Sequence, residues 1–149
     1  MWFDGYHQQF GKRLEEFRAV AIPGTFAELS PEQEEQVTQG SKEFPFDAVL
    51  DVLNSKDSYE DKVSRILAVS GTWMNAASGS QWALGPLSST PYSERVGIGV
   101  RWGEIAFSPL LNVAENLIDA YPTWPGVLKE FADKQEFNRD YFSQRLKEI

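Results

Sequence analysis

The sequence predicts a mainly α-helical (α+β) domain of five to seven helices, with a small antiparallel β-hairpin or sheet inserted around residues 80–107. Apolar residues recur every three or four positions through most of the chain, which is the period of an amphipathic helix. This period is lost between residues 71 and 103, where six of the eleven glycines and three of the five tryptophans lie. A length of 149 residues without cysteine fits one domain, residues 1–149, with an ordinary apolar core.

Two helices are predicted near the N-terminus. A stripe of apolar side chains predicts a helix over residues 3–20, which we expect Pro23-Gly24 to end. The motifs Thr25-Phe26-Ala27-Glu28 and Ser30-Pro31-Glu32-Gln33 both have the capping-box pattern, in which a hydroxyl accepts from the backbone N–H three residues further on. The second motif predicts a short and mostly polar helix over residues 31–39.

Four more helical segments follow from the same signals. Pro45 precedes a short amphipathic helix, and Ser58 is the expected cap of a longer one. Ser108-Pro109 predicts the start of another helix, which Pro122 ends, and Trp124-Pro125-Gly126 predicts the start of the last segment. The apolar stripe of the C-terminal helix consists of Phe137, Tyr141, Phe142, Leu146 and Ile149.

The β-structure is predicted from alternation. Residues 96–102 alternate large apolar side chains with glycine or arginine, which is the period of a strand. Gly103-Glu104 predicts a turn into a hairpin, and residues 81–87 predict a third strand. Gly97-Ile98-Gly99 lacks the third glycine of a dinucleotide-binding loop, because position 102 is Trp. We therefore expect these glycines to let a neighbouring backbone or ring approach closely.

Several chemistries are excluded by composition. The absence of cysteine removes thiolate zinc sites and cysteine nucleophiles. His7 is the only histidine, so a multi-histidine metal site is excluded, and we predict that His7 lies on the surface. The chain contains no Gly-x-Ser-x-Gly motif, and no carboxylate pair stands out by its spacing. These observations predict no cofactor and favour a non-catalytic function over an enzyme.

The net charge of −8 is concentrated in one stretch. Residues 28–61 hold ten acidic and two basic residues, 2 − 10 = −8, while the rest of the chain holds twelve of each. Such a field attracts cationic surfaces and repels phosphates, so we expect no direct binding of nucleic acid. The predicted partner-binding residues are Glu28, Glu32, Glu34, Glu35, Glu43, Asp47 and Asp51. The alternative interpretation is an acidic surface that only keeps the protein in solution.

Three functional hypotheses follow. The first is a non-catalytic, cytoplasmic protein-binding module that docks on a basic protein and inhibits, neutralises or adapts it, as an immunity-like protein neutralises a toxin. The second is a small enzyme or ligand-binding protein that uses residues 71–107, with Trp82, Trp102, Glu104 and Arg101 as the site and His7 contributed by the first helix. The third is a homodimer formed through the C-terminal stripe.

The localisation expected from the sequence is the cytoplasm. The N-terminus has neither the basic region nor the apolar region of a signal peptide. No run approaches the roughly 20 apolar residues that a membrane span requires. We therefore expect no membrane partner.

Overall fold

The computed structural model describes residues 10–86 and 96–148. Within these ranges the chain forms six helices and a three-stranded antiparallel sheet, which confirms the mainly α fold with a small inserted sheet. The helices span residues 10–28 (α1), Pro31–Gln39 (α2), Phe46–Leu53 (α3), Tyr59–Ser78 (α4), Leu110–Ala120 (α5) and Val127–Lys147 (α6). The strands are Gln81–Pro86 (β1), Val96–Trp102 (β2) and Ala106–Pro109 (β3). Residues 3–9 of the predicted first helix, with His7, lie outside the described residues, as do Leu87 and Ile149.

Helix α1 continues through Pro23 and Gly24, so the prediction that these residues end the first helix is wrong. Proline lacks an N–H, and its ring clashes with the carbonyl four residues before it in a regular helix. Here the preceding turn, Phe17–Ala21, is π-helical, and Pro23 lies in the first turn of the α-helical segment that follows. Thr25, expected as a cap, instead donates its hydroxyl to the Ala21 carbonyl oxygen at 2.7 Å.

The predicted caps of α2 and α4 are confirmed. The Ser30 hydroxyl accepts from the Gln33 N–H at 3.1 Å, and the Gln33 side chain accepts from the Ser30 N–H at 3.0 Å, which completes a capping box. Gly40 ends α2 in the left-handed conformation at φ +64°. Ser58 accepts from the Asp61 N–H at 3.2 Å at the start of α4. These local hydrogen bonds explain why both helices begin where the sequence predicts.

Helix α4 is the centre of the molecule and packs against all five other described helices and against β1 and β2. It runs to Ser78, so the first eight residues of the segment predicted to be the least helical are helical. Its apolar face continues through Trp73 and Met74, which are both fully buried, and this burial stabilises the last two turns. Gly79 ends the helix at φ +77°.

The sheet has the strand order β1-β2-β3, and the predicted third strand is confirmed. A β-carbon on Gly99 would lie 2.1 Å from the Ser108 carbonyl oxygen and 2.9 Å from the Phe107 ring, so this glycine does permit a close approach. Ser108 pairs with Val100 in the sheet, and Pro109 has no side-chain capping bond to α5. A helix does begin directly after these residues, at Leu110, but the prediction that Ser108 caps it is wrong, because Ser108 is paired in the sheet.

The C-terminal helix α6 is one continuous element of 21 residues. Phe142 stacks on the buried Trp102 of β2, with the ring centroids 4.3 Å apart. Leu146 lies beside Gly79 and Gly103, at the ends of α4 and β2. These contacts attach α6 to the sheet, while Phe137 and Tyr141, from the same predicted stripe, are exposed.

Candidate functional site

All seven acidic residues predicted to bind a partner are exposed. They lie at the end of α1, on α2, on α3 and on the segment of residues 40–45 that joins α2 to α3. Because a charged side chain held on a rigid element loses less freedom on binding than one on a mobile loop, the attachment of these elements decides whether the acids form a preorganised surface.

Gln33 links α2 to α3. Its side-chain oxygen accepts from the Ser30 N–H at 3.0 Å, and its side-chain nitrogen donates to Asp51 Oδ2 at 2.9 Å. One amide therefore caps the start of α2 and holds a carboxylate on the neighbouring helix. This bond holds the Asp51 side chain on the side of α3 that faces α2.

Residues 40–45 are held from α4 and α6. Trp73 Nε1 donates to the Ser41 carbonyl oxygen at 2.9 Å, and the Arg139 guanidinium donates to the Lys42 carbonyl oxygen. The Phe44 N–H donates to Glu136 Oε2 at 2.8 Å. Arg139 also lies over the Trp73 ring, 5.2 Å from its centroid. This connection is therefore ordered by side chains from two other helices.

Phe44 provides the apolar anchor of the same segment. Its side chain is only 4% exposed, and its ring packs edge-on against Trp73 and Phe131 at centroid distances of 5.1 and 5.5 Å. Glu43 precedes this anchor in the chain, so the backbone that carries its carboxylate is fixed although the side chain itself is exposed.

Four of the acids line two cavities, two in each. Glu43 and Asp47 line a cavity of about 380 Å³ beside Gln36 of α2. Glu28 and Asp51 line a second cavity of about 190 Å³, together with Gln33 and Arg65. Asp47 and Asp51 are four residues apart on α3 and so lie on one face of that helix. We name the surface formed by Glu28, Glu43, Asp47 and Asp51 the acidic groove.

Arg65 is the basic side chain in the acidic groove, and it already has carboxylate partners. Its guanidinium lies 3.1 Å from Asp57 Oδ2 and 3.8 Å from Glu28 Oε1. The net charge of the groove therefore remains negative. Glu43, Asp47 and Asp51 form no ion pair with any residue in the part of the chain that the structure describes.

The other three predicted acids lie elsewhere on α2. Val37 marks the buried side of this helix. At about 100° per residue, Glu32 and Glu35 point away from that side, and Glu34 lies on the flank opposite Gln33. Four of the seven predicted residues thus line the two cavities, and the three acids of α2 line neither.

The four residues of the alternative ligand site have different environments. Trp102 is fully buried and donates from Nε1 to the Ser78 hydroxyl at 2.8 Å. Arg101 projects from the opposite face of β2, because successive side chains of a strand alternate. Glu104 is exposed in the turn between β2 and β3, whereas Trp82 is half-buried.

Trp82 does line a polar cavity of about 400 Å³, with Arg18, Asn75, Ser80 and Gln81. With the Asn75 amide oriented by its hydrogen bonds, its oxygen accepts from Trp82 Nε1 at 3.2 Å and its nitrogen donates to Ser80 Oγ at 2.7 Å. Arg18 comes from the π-helical turn of α1, a kind of turn that is frequent at functional sites. Arg18, Asn75 and Ser80 were not predicted from the sequence, since no local spacing connects α1 to the end of α4.

Across residues 10–86 and 96–148, no three Asp, Glu or His side chains lie close enough to hold a metal ion. None of the helices in those two ranges combines the length and the apolar character needed to cross a bilayer. Comparisons with protein families, with curated proteins and with solved structures found no match to this chain.

Proposed function

We propose that this chain is a non-catalytic, cytoplasmic protein-binding module that docks on a basic partner protein through the acidic groove and inhibits, neutralises or adapts it. The observation that carries the proposal is the grouping of Glu28, Glu43, Asp47 and Asp51 on elements held by buried contacts. Unlike an acidic tail, this surface combines charge with a defined shape.

Electrostatics supports this function in two ways. The field of a net charge of −8 raises the rate at which a cationic surface meets the protein, by about tenfold or more at low salt. In addition, the carboxylates of the groove form the short-range contacts with the partner. The polar side chains of Gln33 and Gln36, both on α2, line the same two cavities. Charge complementarity of this kind favours rapid and selective association.

The experiment compares two triple variants with the same change of charge. Glu43→Gln, Asp47→Asn and Asp51→Asn neutralise the groove, whereas Glu32→Gln, Glu34→Gln and Glu35→Gln neutralise the outer surface of α2. A chain with a photo-crosslinking residue in place of Gln36, and otherwise of wild-type sequence, is used as bait in an extract of its source cells. The protein that crosslinks is then purified for titration against the wild-type chain and both variants. Circular dichroism checks that both variants fold.

We expect the crosslinked protein to be basic and its affinity to fall with salt. The groove variant should bind about tenfold more weakly than the outer variant, because both lose the same long-range attraction and only one loses contacts. If the two triple variants bind equally, the acidic groove is not the docking surface. If no protein crosslinks at Gln36, the acids only form a solvated surface.

A second candidate function is supported by the cavity at Trp82, which fits a small carboxylate or phosphate ligand. The Arg18 side chain is exposed there and has no ion pair within the described ranges. A guanidinium beside amide and hydroxyl groups binds a planar carboxylate through paired hydrogen bonds. The indole of Trp82 would report such a ligand through its fluorescence.

Titration with sodium acetate and with inorganic phosphate, at constant ionic strength, tests this second function. We expect an emission change that disappears in Trp82→Phe and weakens in Arg18→Gln, whereas the control Arg13→Gln, on the same helix, retains it. An identical titration of Arg18→Gln and the wild type would exclude an anion site at this cavity.

A further inference from the structure

The C-terminal third of the chain carries an exposed apolar surface. Among the described residues, the exposed large hydrophobic side chains include Trp124, Phe137 and Tyr141, which are 48%, 65% and 46% exposed. The rings of Phe137 and Tyr141 stack on each other, with centroids 5.9 Å apart and planes at 14°. Exposed and mutually ordered aromatic side chains of this kind are typical of interaction surfaces.

Phe137 and Tyr141 belong to a stripe of side chains along α6. At about 100° per residue, Val127, Glu130, Lys134, Phe137 and Tyr141 fall on one side of the helix. Leu128, Ala132 and Gln135, which are buried, mark the side that faces the core. We name the five residues from Val127 to Tyr141 the α6 stripe. It is about 21 Å long, since a helix rises about 1.5 Å per residue.

An apolar groove between α5 and α6 borders the N-terminal half of the α6 stripe. Its volume is about 310 Å³, and Glu130 and Lys134 stand at its edge. The residues that line the groove and are not charged are Val113, Asn116, Leu117, Ala120, Val127 and Phe131. One surface therefore carries a protruding ring at Phe137 and, one to three turns away, a groove that accepts apolar side chains.

We propose that the α6 stripe binds a second copy of this chain, with the two α6 helices antiparallel about a two-fold axis near residue 132. With the axis at the level of residue 132, a residue that follows 132 by a given number of positions faces the residue of the second copy that precedes 132 by the same number. Lys134 then faces Glu130 of the partner subunit, and this contact occurs twice. Phe137 faces Val127 of the partner subunit, which lies at the groove.

The self-complementary arrangement is the reason for assigning a second copy as the occupant. Glu130 and Lys134 have opposite charges and are equally distant from residue 132, so an antiparallel copy matches both. The protruding Phe137 and the groove beside Val127 are related by the same operation. A surface that carries both halves of each contact satisfies the requirement of an isologous interface.

The dimer is independent of the proposed docking function. Glu136 and Arg139, which hold residues 40–45 and hence the acidic groove, lie on the other side of α6 from the stripe. The side chains that hold residues 40–45 are therefore not part of the proposed contact between the two α6 helices.

The test uses charge exchange. Glu130→Lys and Lys134→Glu each bring like charges together twice, so each should weaken the dimer about tenfold or more in sedimentation velocity at low salt. The double variant Glu130→Lys/Lys134→Glu restores opposite charges and should recover the dimer. Phe137→Ser should also weaken it, through loss of the ring that enters the groove.

The matched control is the pair Lys129 and Asp133, whose side chains are bonded at 2.9 Å on an adjacent part of α6 outside the stripe. Exchanging their charges in Lys129→Asp/Asp133→Lys should leave the dimer unchanged. A wild-type chain that remains monomeric up to about millimolar concentration overturns the proposal. It is equally overturned if the dimer is insensitive to the single variants or is not restored by the double variant.

Discussion

Gly71 and Gly24 provide a paired test of how α4 packs against the sheet. Both are helical, but a β-carbon on Gly71 would lie 2.1 Å from Trp82 Cη2 and 2.4 Å from Cζ3, whereas one on Gly24 would have nothing within 4 Å. The Trp82 ring also packs edge-on against Phe17 at a centroid distance of 5.1 Å, so a shift of the indole disturbs this second contact. The variant Gly71→Ala must therefore displace a packed indole.

Opposing effects decide the sign of the change in stability. Replacing glycine by alanine in a helix gains about 1 kcal/mol. Overpacking costs about 1–3 kcal/mol, and losing the hydrogen bond from Trp82 to Asn75 costs about 1 kcal/mol more. We therefore expect Gly71→Ala to lower the free energy of unfolding by about 1–3 kcal/mol, while Gly24→Ala raises it by about 0.5–1 kcal/mol.

Urea unfolding followed by far-ultraviolet circular dichroism measures both variants. Tryptophan emission of the folded Gly71→Ala protein should also change, since Trp82 moves. If Gly71→Ala is as stable as the wild type, or more stable, the proposed contact between α4 and Trp82 does not exist in solution.

Three further predictions concern single contacts. Ser78→Ala leaves the Trp102 indole N–H buried without its partner and should cost about 1–3 kcal/mol in urea unfolding; a neutral result would mean that water reaches this indole. Gly40→Ala introduces a β-carbon at a residue with φ +64° and places it 2.6 Å from a backbone nitrogen of α4. The melting temperature of this variant should therefore fall by several degrees, and an unchanged value would refute the contact. Gln33→Ala removes half of a capping box and the bond to Asp51, and should cost about 1 kcal/mol with faster amide exchange at the start of α2; unchanged exchange would argue against the box.

The candidate site was only partly predictable from the sequence. The acidic composition of residues 28–61 is evident in the sequence, but composition alone does not show which of the seven acids share a surface. Helix geometry separates Glu32 and Glu35 from the groove, because they lie on the outer side of α2. Asp47 and Asp51, four residues apart, were the part of the groove that local spacing could have identified.

The environments of two tryptophans also could not be predicted from the sequence. Trp102 and Trp82 both come from the irregular segment, and composition does not distinguish them. Trp102 is fully buried because Phe142 of α6 covers it, whereas Trp82 lies at an open cavity. The contact with α6 joins residues 40 positions apart, and such a separation leaves no periodic signal in the sequence.

Local sequence is sufficient to predict the elements whose ends depend on nearby atoms. Ser30, Ser58 and Gly40 act through hydrogen bonds or backbone angles within three or four residues, so these helix ends were predictable from local sequence. Pro23 was misjudged because a π-helical turn, supported by packing, accommodates it.

The contacts between side chains of distant segments depend on the complete fold. The bond from Gln33 to Asp51 joins residues 18 positions apart, and that from Arg139 to Lys42 joins residues 97 apart. Such contacts close long loops, and the entropic cost of that closure is offset by the packing of the whole fold and not by any local pattern. The acidic charge is thus a property of the sequence, whereas the acidic groove is a property of the fold.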